Sequence, residues 1–195
     1  NHDYAVLHSA EGFNPVARAA VEFVRRRMEP DPENPDPDKV RRWEYLEELE
    51  PLYEDAAYDM EVMHASPRQP ITEYVLPSDP EMDPFKIQEI FQAMNHQVAF
   101  VGHTHFPGVI EQGRDWFLMP PQFNQKYVVG ERRAIINIGS VGQPRDRDVR
   151  ACYVVFDGQT AEYCRVEYDV EATVGKIRES GGLHEVCGLR LREGR

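Results

Sequence analysis

Apolar residues recur every three or four positions in three segments of the chain, a spacing that places them on one face of an α-helix. Each segment begins with an Asx-Pro pair: Asn14-Pro15, Asp36-Pro37 or Asp83-Pro84. The Asx side chain caps free backbone N–H groups, and proline at the first helical position loses no hydrogen bond there. We therefore predict helices over residues 15–28, over 38–49, and from 84 onward with Ile87, Ile90, Phe91 and Met94 on its buried face. A fourth helix is predicted after Asp169, ending at Gly181-Gly182.

Short apolar runs bounded by glycine, proline or aspartate predict β-strands between and after these helices. The runs cover residues 60–64, 98–101, 115–119, 134–138 and 151–156. The last run is joined to residues 161–168 by Asp157-Gly158, a dipeptide typical of a hairpin turn. Helices early and strands late predict an α/β fold in which helices pack outside the sheets.

Composition narrows the class of protein. The 195 residues suffice for one domain with a two-layer core, so a single domain over 1–195 is predicted. A hydrophobic fraction of 41% and a charged fraction of 29% exclude a chain that is disordered throughout. The formal net charge of -12 repels a phosphate backbone, so no general nucleic-acid binding is expected. Small phosphate substrates stay compatible, because clustered cations or metals overcome a negative global field at short range.

The sequence also bears on location. It contains no run of about 18 apolar residues and no basic-then-apolar start, so neither a membrane partner nor export is expected. The 3 cysteines form no CxxC motif and suit reduced thiols with a packing role, which predicts a cytoplasmic protein. Because the chain opens with Asn1-His2-Asp3 and no initiator Met, we expect it to be a piece of a longer protein. Its oligomeric state does not follow from the sequence.

Among the 7 histidines, the positions that follow apolar runs are informative. His103 and His105 come after residues 98–101 and Gly102, and residues two apart in an extended stretch point the same way. Both imidazoles are therefore placed to face one ion, although an HxH pair also occurs by accident in surface loops. The remaining His8, His96 and His184 lie outside the strand ends and are interpreted as ordinary polar positions.

His64 repeats this arrangement at the end of residues 60–64, where Pro67 ends regular pairing. Taken alone, it is better interpreted as a hydrogen-bonded core histidine than as a ligand. Two predicted strands thus deliver histidines to their carboxyl ends, where α/β sheets tend to build sites. Together, His64, His103 and His105 are candidate metal ligands.

A third strand end, after residues 134–138, continues into a loop with two glycines, Gly139 and Gly142. Glycine lets the backbone approach a ligand closely, but no Lys-Ser/Thr follows, so the loop is not a P-loop. Arg145 in this loop either receives a phosphate oxygen or is solvated or paired with Asp146. The sequence leaves these alternatives open.

Four motifs follow one another along the chain: Asn1-His2-Asp3, His64-Ala-Ser-Pro67, Gly102-His-Thr-His105 and Asn137-Ile-Gly-Ser-Val-Gly-Gln-Pro-Arg-Asp146. In this combination they resemble the calcineurin-like metallophosphoesterase family, especially its small bacterial and archaeal phosphodiesterase branch. The resemblance extends to about Asp157. Ala65 stands where the family has glycine and Ile138 where it has proline. Both departures affect loop conformation, and neither removes a ligand.

The resemblance implies a β-sandwich with helices packed outside both sheets. It also implies a phosphodiesterase that hydrolyses a small phosphate ester. The nucleophile would be a hydroxide that bridges two divalent ions, Mn, Fe or Zn. It makes Asn1, His64 and His103 ligands of one metal and His105 a ligand of the other. His2 becomes the catalytic histidine near the leaving group. Arg145 is the candidate substrate-binding residue.

Two further family motifs, Asp-x-His and Gly-Asp-x-x-Asp, are absent from this sequence. In the family they precede the motif that Asn1-His2-Asp3 resembles and supply the remaining ligands, including the bridging carboxylate. We therefore expect the two-metal site to be completed from upstream. The alternative hypothesis is a non-catalytic binding scaffold of the same fold, as in a retromer subunit. The upstream ligands distinguish the two, because a scaffold carries substitutions there.

Overall fold

The structure, a computed structural model, describes residues 1–195. The chain divides into two compact units. The first unit comprises Asn1–Glu50 and Glu171–Leu189, and the second unit comprises Pro51–Val170 and Arg190–Arg195. The single domain expected from the chain length stays a prediction. None of the helices combines the length and the apolar character that a bilayer-spanning segment requires.

The helices are α1 (His2–Leu7), α2 (Pro15–Met28), α3 (Pro37–Glu47), α4 (Asp79–Met82), α5 (Pro84–Ala93), α6 (Val170–Glu179) and α7 (Val186–Leu189). The strands are β1 (Leu52–Asp55), β2 (Met60–Met63), β3 (Val98–Val101), β4 (Gly108–Glu111), β5 (Lys126–Val128), β6 (Ala134–Asn137), β7 (Ala151–Phe156) and β8 (Thr160–Val166). Two 3₁₀ turns cover Pro120–Phe123 and Arg190–Glu193. The four predicted helices are confirmed as α2, α3, α5 and α6. Helices α1, α4 and α7 are too short to show a periodicity.

The Asx-Pro pairs start their helices as the capping argument requires. The Asn14 side chain accepts a hydrogen bond from Ala17 N at 3.0 Å, and Asp36 accepts one from Asp38 N at 2.9 Å. Asp83 accepts one from Lys86 N at 3.1 Å. Each carboxylate or amide oxygen satisfies a backbone donor that the first helical turn leaves without a partner.

The first unit has its own small core. Ala5, Val6, Ala10 and Val21 are buried there, with Phe13, Val24, Trp43 and Leu46 packed around them. The Arg25 guanidinium of α2 donates to Ala5 O at 2.5 Å and to Val6 O at 2.6 Å. Because the last carbonyls of a helix have no intrahelical partner, this arginine satisfies the end of α1 and joins it to α2.

The first sheet of the second unit has five strands in the order β1-β2-β3-β6-β4. Its centre is parallel, since β2 pairs with β3 and β3 with β6 in the same direction. Strands β1 and β4 are antiparallel to their neighbours. The carboxyl ends of β2, β3 and β6 consequently meet at one edge of the sheet, and each of them leads into a sequence motif singled out above.

The second sheet has the order β5-β8-β7 and is antiparallel throughout. The predicted hairpin joins β7 to β8: Asp157 Oδ1 accepts hydrogen bonds from Gln159 N at 2.9 Å and Thr160 N at 2.6 Å. Gly158 has a φ of 96°, a left-handed conformation that favours glycine.

The two sheets enclose the main core, and α5 covers the other face of the first sheet. Between the sheets lie Val98, Phe100, Val109, Ile136, Tyr127, Cys152, Ala161 and Tyr163. The core between α5 and the first sheet contains Ile87, Ile90 and Phe91 of the helix and Met94 at its C-cap. These residues pack with Met63, Ala99, Val101, Ile110 and Ile135 of the sheet. Burial raises the pKa of Cys152 to about 11, which suits a thiol with a packing role. The predicted class, an α/β sandwich, is the observed one.

One predicted strand is wrong. Residues 115–119 form no strand, and only Leu118 pairs, through an isolated bridge to Val109 of β4. Trp116 is exposed instead and carries the Arg114 guanidinium over its ring. Three observed strands, β1, β4 and β5, were missed, because each has only three or four residues and β1 (Leu-Tyr-Glu-Asp) and β5 (Lys-Tyr-Val) carry charged residues.

Candidate active site

The residues at the joined strand ends are held to one another by the backbone. Gly102 N, directly after β3, donates to His64 O, directly after β2, at 2.9 Å. Ile138 N, directly after β6, donates to Val101 O at 2.9 Å. The sheet pairing therefore continues one residue past its strands, and it delivers His64 and His103 side by side.

His64 and His103 are in direct contact. His64 Nε2 lies 2.9 Å from His103 Nδ1, and their ring centroids are 4.7 Å apart. His103 Nε2 lies 3.2 Å from Thr72 O, and because a carbonyl only accepts, Nε2 of the neutral ring carries the proton. In that tautomer His103 Nδ1, which lies next to His64 Nε2, carries a lone pair. His103 is buried, with 5% of its surface exposed, whereas His64 is exposed.

The backbone at both histidines of the Gly-His-x-His motif is left-handed. His103 has a φ of 53° and His105 a φ of 65°, values that residues with a Cβ rarely adopt. Such conformations cost on the order of 1–3 kcal/mol each and persist only where the surroundings impose them. They also place the two rings differently from the extended geometry that the spacing predicted.

Asn137, the last residue of β6, holds this loop in place. Its Nδ2 donates to Gly102 O and to Thr104 Oγ1, both at 2.7 Å, and its Oδ1 accepts from Gly139 N at 3.0 Å. Asn137 is 3% exposed, so these bonds form away from water. Sequence reasoning did not assign Asn137 a role, although a polar residue that ends an apolar strand is a usable signal.

His105 points to the loop after β6. Its Nδ1 lies 2.7 Å from Gln143 O, and Arg145 N donates to His105 O at 3.3 Å. This loop also needs glycine at one position: Gly139 has a φ of 77°, and a Cβ there would lie 2.9 Å from Cys152 Sγ. The loop is thus joined to the histidine motif on one side and seated on the sandwich core on the other.

Tyr74 and Arg145 complete the arrangement. The Tyr74 ring stacks on His103 with centroids 3.9 Å apart and an interplanar angle of 25°. The Arg145 guanidinium donates to the Tyr74 side chain and to Gln143 Oε1, the latter at 2.7 and 3.1 Å. Burial lowers the pKa of Arg145, and Arg190 nearby acts in the same direction. Asp146 pairs with Arg165 rather than with Arg145. Nothing in the sequence marked Tyr74.

Asn1 and His2 lie in the first unit. Asn1 precedes α1 and makes no side-chain cap bond, while His2 is the exposed first residue of that helix, with its ring edge-on to Phe13 at 5.2 Å. The structure therefore brings together His64 and His103, with His105 and Arg145 joined to them through the loops. A role for Asn1 and His2 at this site stays a prediction.

The donor set fits a metal only in part. Two imidazole nitrogens bound to adjacent corners of one ion, each about 2.0–2.1 Å from it, lie roughly 3 Å apart. The 2.9 Å between His64 Nε2 and His103 Nδ1 matches that separation. No group of 3 or more His, Cys, Asp or Glu side chains in the chain is arranged to hold an ion. The chain as it stands thus offers two corners of a coordination sphere.

The fold and parts of the sequence recur in other proteins. A crystal structure of a metallophosphoesterase from Sphaerobacter thermophilus superposes with a TM-score of 0.77 and 35% identity, covering 100% of this chain and 75% of that one. The chain belongs to the metallophosphoesterase family. An uncharacterized protein of Methanocaldococcus jannaschii is 32% identical over 202 residues, spanning 100% of this chain and 74% of that protein. A hypothetical protein of Pyrococcus horikoshii shares the fold alone, with a TM-score of 0.67, 15% identity, and coverage of 97% of this chain and 69% of that one. No protein-family model matches the chain.

The other histidines of this metallophosphoesterase, His8, His96 and His184, have partners outside the candidate site. His96 lies between Asp59 Oδ1 at 3.1 Å and Glu54 Oε1 at 3.3 Å, and His184 Nδ1 accepts from Val186 N at 3.2 Å. His8 packs against the Tyr4 ring with centroids 4.3 Å apart. None of them follows a strand of the first sheet, in line with their interpretation as ordinary polar positions.

Proposed function

We propose that this metallophosphoesterase is a metal-dependent phosphodiesterase that acts on a small phosphate ester in the cytoplasm. The observation that carries the proposal is the 2.9 Å contact between His64 Nε2 and His103 Nδ1 at the carboxyl edge of parallel strands. A half-buried arginine lies beside this pair, joined to it through Tyr74. Imidazole nitrogens are common ligands of transition metals, and a guanidinium group donates hydrogen bonds to phosphate oxygens.

The proposed ligands are Asn1, His64 and His103 for one ion and His105 for a second. Two divalent ions of Mn, Fe or Zn, when bound in such a site, supply a hydroxide at neutral pH and stabilise charge on the phosphoryl group. The family membership supports this ligand set, and the contact between His64 and His103 supports one pair within it.

The chain's own side chains have separate tasks in this proposal. Arg145 donates hydrogen bonds from its planar guanidinium group to phosphate oxygens. Its partners Gln143 and Tyr74 are neutral, so they position the group without neutralising its charge. The stacked Tyr74 fixes the ring plane of His103. His2 donates a proton to the departing oxygen.

The experiment compares the wild-type protein with His64→Ala, His2→Ala and the matched control His184→Ala, an exposed histidine with a local hydrogen bond only. Bound metal is measured after loading with Mn²⁺ or Zn²⁺, and hydrolysis is measured on esters with good and poor leaving groups. His64→Ala is expected to lower bound metal. His2→Ala is expected to keep the metal and to slow poor leaving groups by about 10²–10⁴-fold, since nitrophenolate needs little protonation.

Three outcomes contradict the proposal or one of its parts. Metal content that is equal in wild type, His64→Ala and His184→Ala removes His64 from the ligand set. A wild-type protein that binds metal but hydrolyses no phosphate ester favours the scaffold alternative. If His2→Ala slows all esters equally, the proton-donor role of His2 is wrong.

A further inference from the structure

A cleft of about 380 Å³ opens in the second unit next to the histidine motif. Its lining combines the apolar side chains of Phe106, Phe117 and Met119 with charged ones. The charged lining residues are Arg145, Arg147 and Arg195 together with Asp146 and Glu193, and Glu193 is paired with Arg195. The volume falls in the range of ligand sites, which are roughly 300–1,000 Å³ and combine apolar walls with a few placed polar groups.

The apolar part of the lining contains a fixed ring. Phe117 lies directly over the backbone of Gly108 in β4, since a Cβ at that position would lie 2.3 Å from the Phe117 ring. Gly108 is therefore required for Phe117 to occupy this place. Met119, 39% exposed, adds a polarizable and adaptable side chain.

The charged lining residues Arg145 and Arg147 keep their guanidinium groups available. Asp146, which lies between them in sequence, is paired with Arg165. Arg145 is bonded to the neutral Gln143 and Tyr74 side chains. Arg147 is exposed, and its backbone is pinned by the C-terminal tail: Arg147 N donates to Gly194 O at 2.9 Å.

The cleft is continuous with the candidate site. Phe106 follows His105 in the chain, and Arg145 N donates to His105 O. Arg145 also bonds Tyr74, which stacks on His103. Arg145 therefore lies between the histidine motif and the apolar residues Phe106 and Phe117 of the cleft lining.

We infer that the cleft selects phosphate esters whose alcohol is a nucleoside, with the base on the wall formed by Phe106, Phe117 and Met119 and the phosphate on Arg145. Aromatic side chains stack on any base face, and guanidinium groups match phosphate oxygens. The net charge of -12 disfavours long polynucleotides, which leaves mononucleotide-sized esters. The inference rests on the proposed function for its reaction, and it concerns binding that is measurable without turnover.

The test is a calorimetric titration of the protein with AMP and with ribose 5-phosphate, which share the phosphate and sugar and differ only in the base. AMP is expected to bind about tenfold more tightly, because stacking of one base contributes measurably to affinity. Phe117→Leu and Phe106→Leu are expected to bring the two affinities together. Arg145→Met is expected to weaken both ligands. Tyr153→Leu, an aromatic exposed on the second sheet, is the matched control and is expected to leave both affinities unchanged.

Equal affinities for AMP and ribose 5-phosphate in the wild type, or binding of neither, overturn the inference. So does an AMP preference that survives both phenylalanine substitutions. Since Phe117 fills space over Gly108, Phe106→Leu is the second variant that keeps the test valid if Phe117→Leu fails to fold. A base preference in a protein without hydrolytic activity would refute the proposed function and leave the nucleoside preference standing, so the two failures are distinguishable.

Discussion

Two chain reversals in the second unit use left-handed backbone in opposite ways. At the β7–β8 hairpin the left-handed residue is Gly158, for which the conformation is inexpensive. At the end of β3 the left-handed residues are His103 and His105, whose Cβ atoms make it unfavourable. The hairpin is stable through its local turn chemistry. The histidine loop depends on Asn137, which reaches it from another strand.

Of these two segments, the histidine loop rather than the hairpin contains the energetically unfavourable backbone conformations. The hairpin is self-sufficient, since Asp157 accepts the N–H groups of Gln159 and Thr160 within the turn itself. The histidine loop holds imidazoles in a sparsely populated conformation and requires long-range hydrogen bonds to do so. Strained residues of this kind cluster at functional sites. Substitutions at Asn137, His103 and Gly158 examine that contrast, and one at Glu61 examines a buried charge outside both segments.

The largest effect is expected for Asn137→Ala. The change removes both hydrogen bonds to the histidine loop and the one to Gly139 N, leaving buried polar groups without partners. The free energy of unfolding should fall by about 3 kcal/mol, measured by urea denaturation. The control is Asn95→Ala, an exposed asparagine that bonds Glu54, with an expected change within about 0.5 kcal/mol. Equal losses in the two variants would mean that Asn137 does not hold the loop.

A medium effect is expected from comparing His103→Gly with His103→Ala. Both variants lose the contacts with His64 and Tyr74, so their difference reports the left-handed backbone of the folded state, reduced by the greater freedom of glycine in the unfolded state. The glycine variant should be more stable by roughly 1 kcal/mol, measured by chemical denaturation. At the hairpin the reciprocal change, Gly158→Ala, should destabilise, because φ is 96° and the new Cβ would lie 2.9 Å from the Tyr58 ring. Identical stabilities of the two His103 variants would show that the loop is not strained.

The smallest effect is expected at Glu61, within β2. Glu61 is 1% exposed, its Oε1 has no hydrogen-bond partner, and burial raises its pKa above 4.5. A raised carboxyl pKa means that the folded state disfavours the carboxylate, so the penalty is present at pH 8 and disappears below about pH 4.5. Glu61→Gln should therefore increase the free energy of unfolding at pH 8, by at most about 1 kcal/mol, and leave it unchanged at pH 4.

The matched control for Glu61→Gln is Glu81→Gln, because Glu81 is an exposed residue of α4. It should show no gain at either pH in the same denaturation series. A Glu61→Gln gain that does not depend on pH would assign the effect to packing rather than to the buried charge.

Much of the fold was predictable from local signals. The Asx-Pro pairs located α2, α3 and α5, and the apolar spacing from residue 84 onward identified the four residues that α5 and its C-cap contribute to the core. The run Val98–Val101 was recognised as a strand because all four residues are apolar, and all four are buried. By contrast, the pattern of residues 115–119 predicts a strand that does not form, because only Leu118 pairs, through a single bridge to Val109 of β4.

The candidate site was predictable in residue type and less so in geometry. Histidines at the ends of two apolar runs are visible in the sequence, and His64 and His103 do meet. Tyr74, by contrast, lies in an irregular segment and contacts His103 only through stacking across the fold. Asn137 and Thr104 bond each other over 33 positions of the chain. No local pattern encodes such contacts.

The sequence by itself determined the helix starts, the hairpin turn and the identities of the histidines at strand ends. These depend on interactions within a few residues, such as caps, periodic burial and turn hydrogen bonds, which are the same wherever the segment lies. Only the tertiary structure decided that His103 is left-handed, that Tyr74 stacks on it, and that Arg145 faces a cleft with Phe106 and Phe117. Those features depend on the parallel pairing of β2 with β3 and of β3 with β6, which joins residues 38 and 36 positions apart. The energy that stabilises them comes from contacts that form only once the sheet is assembled.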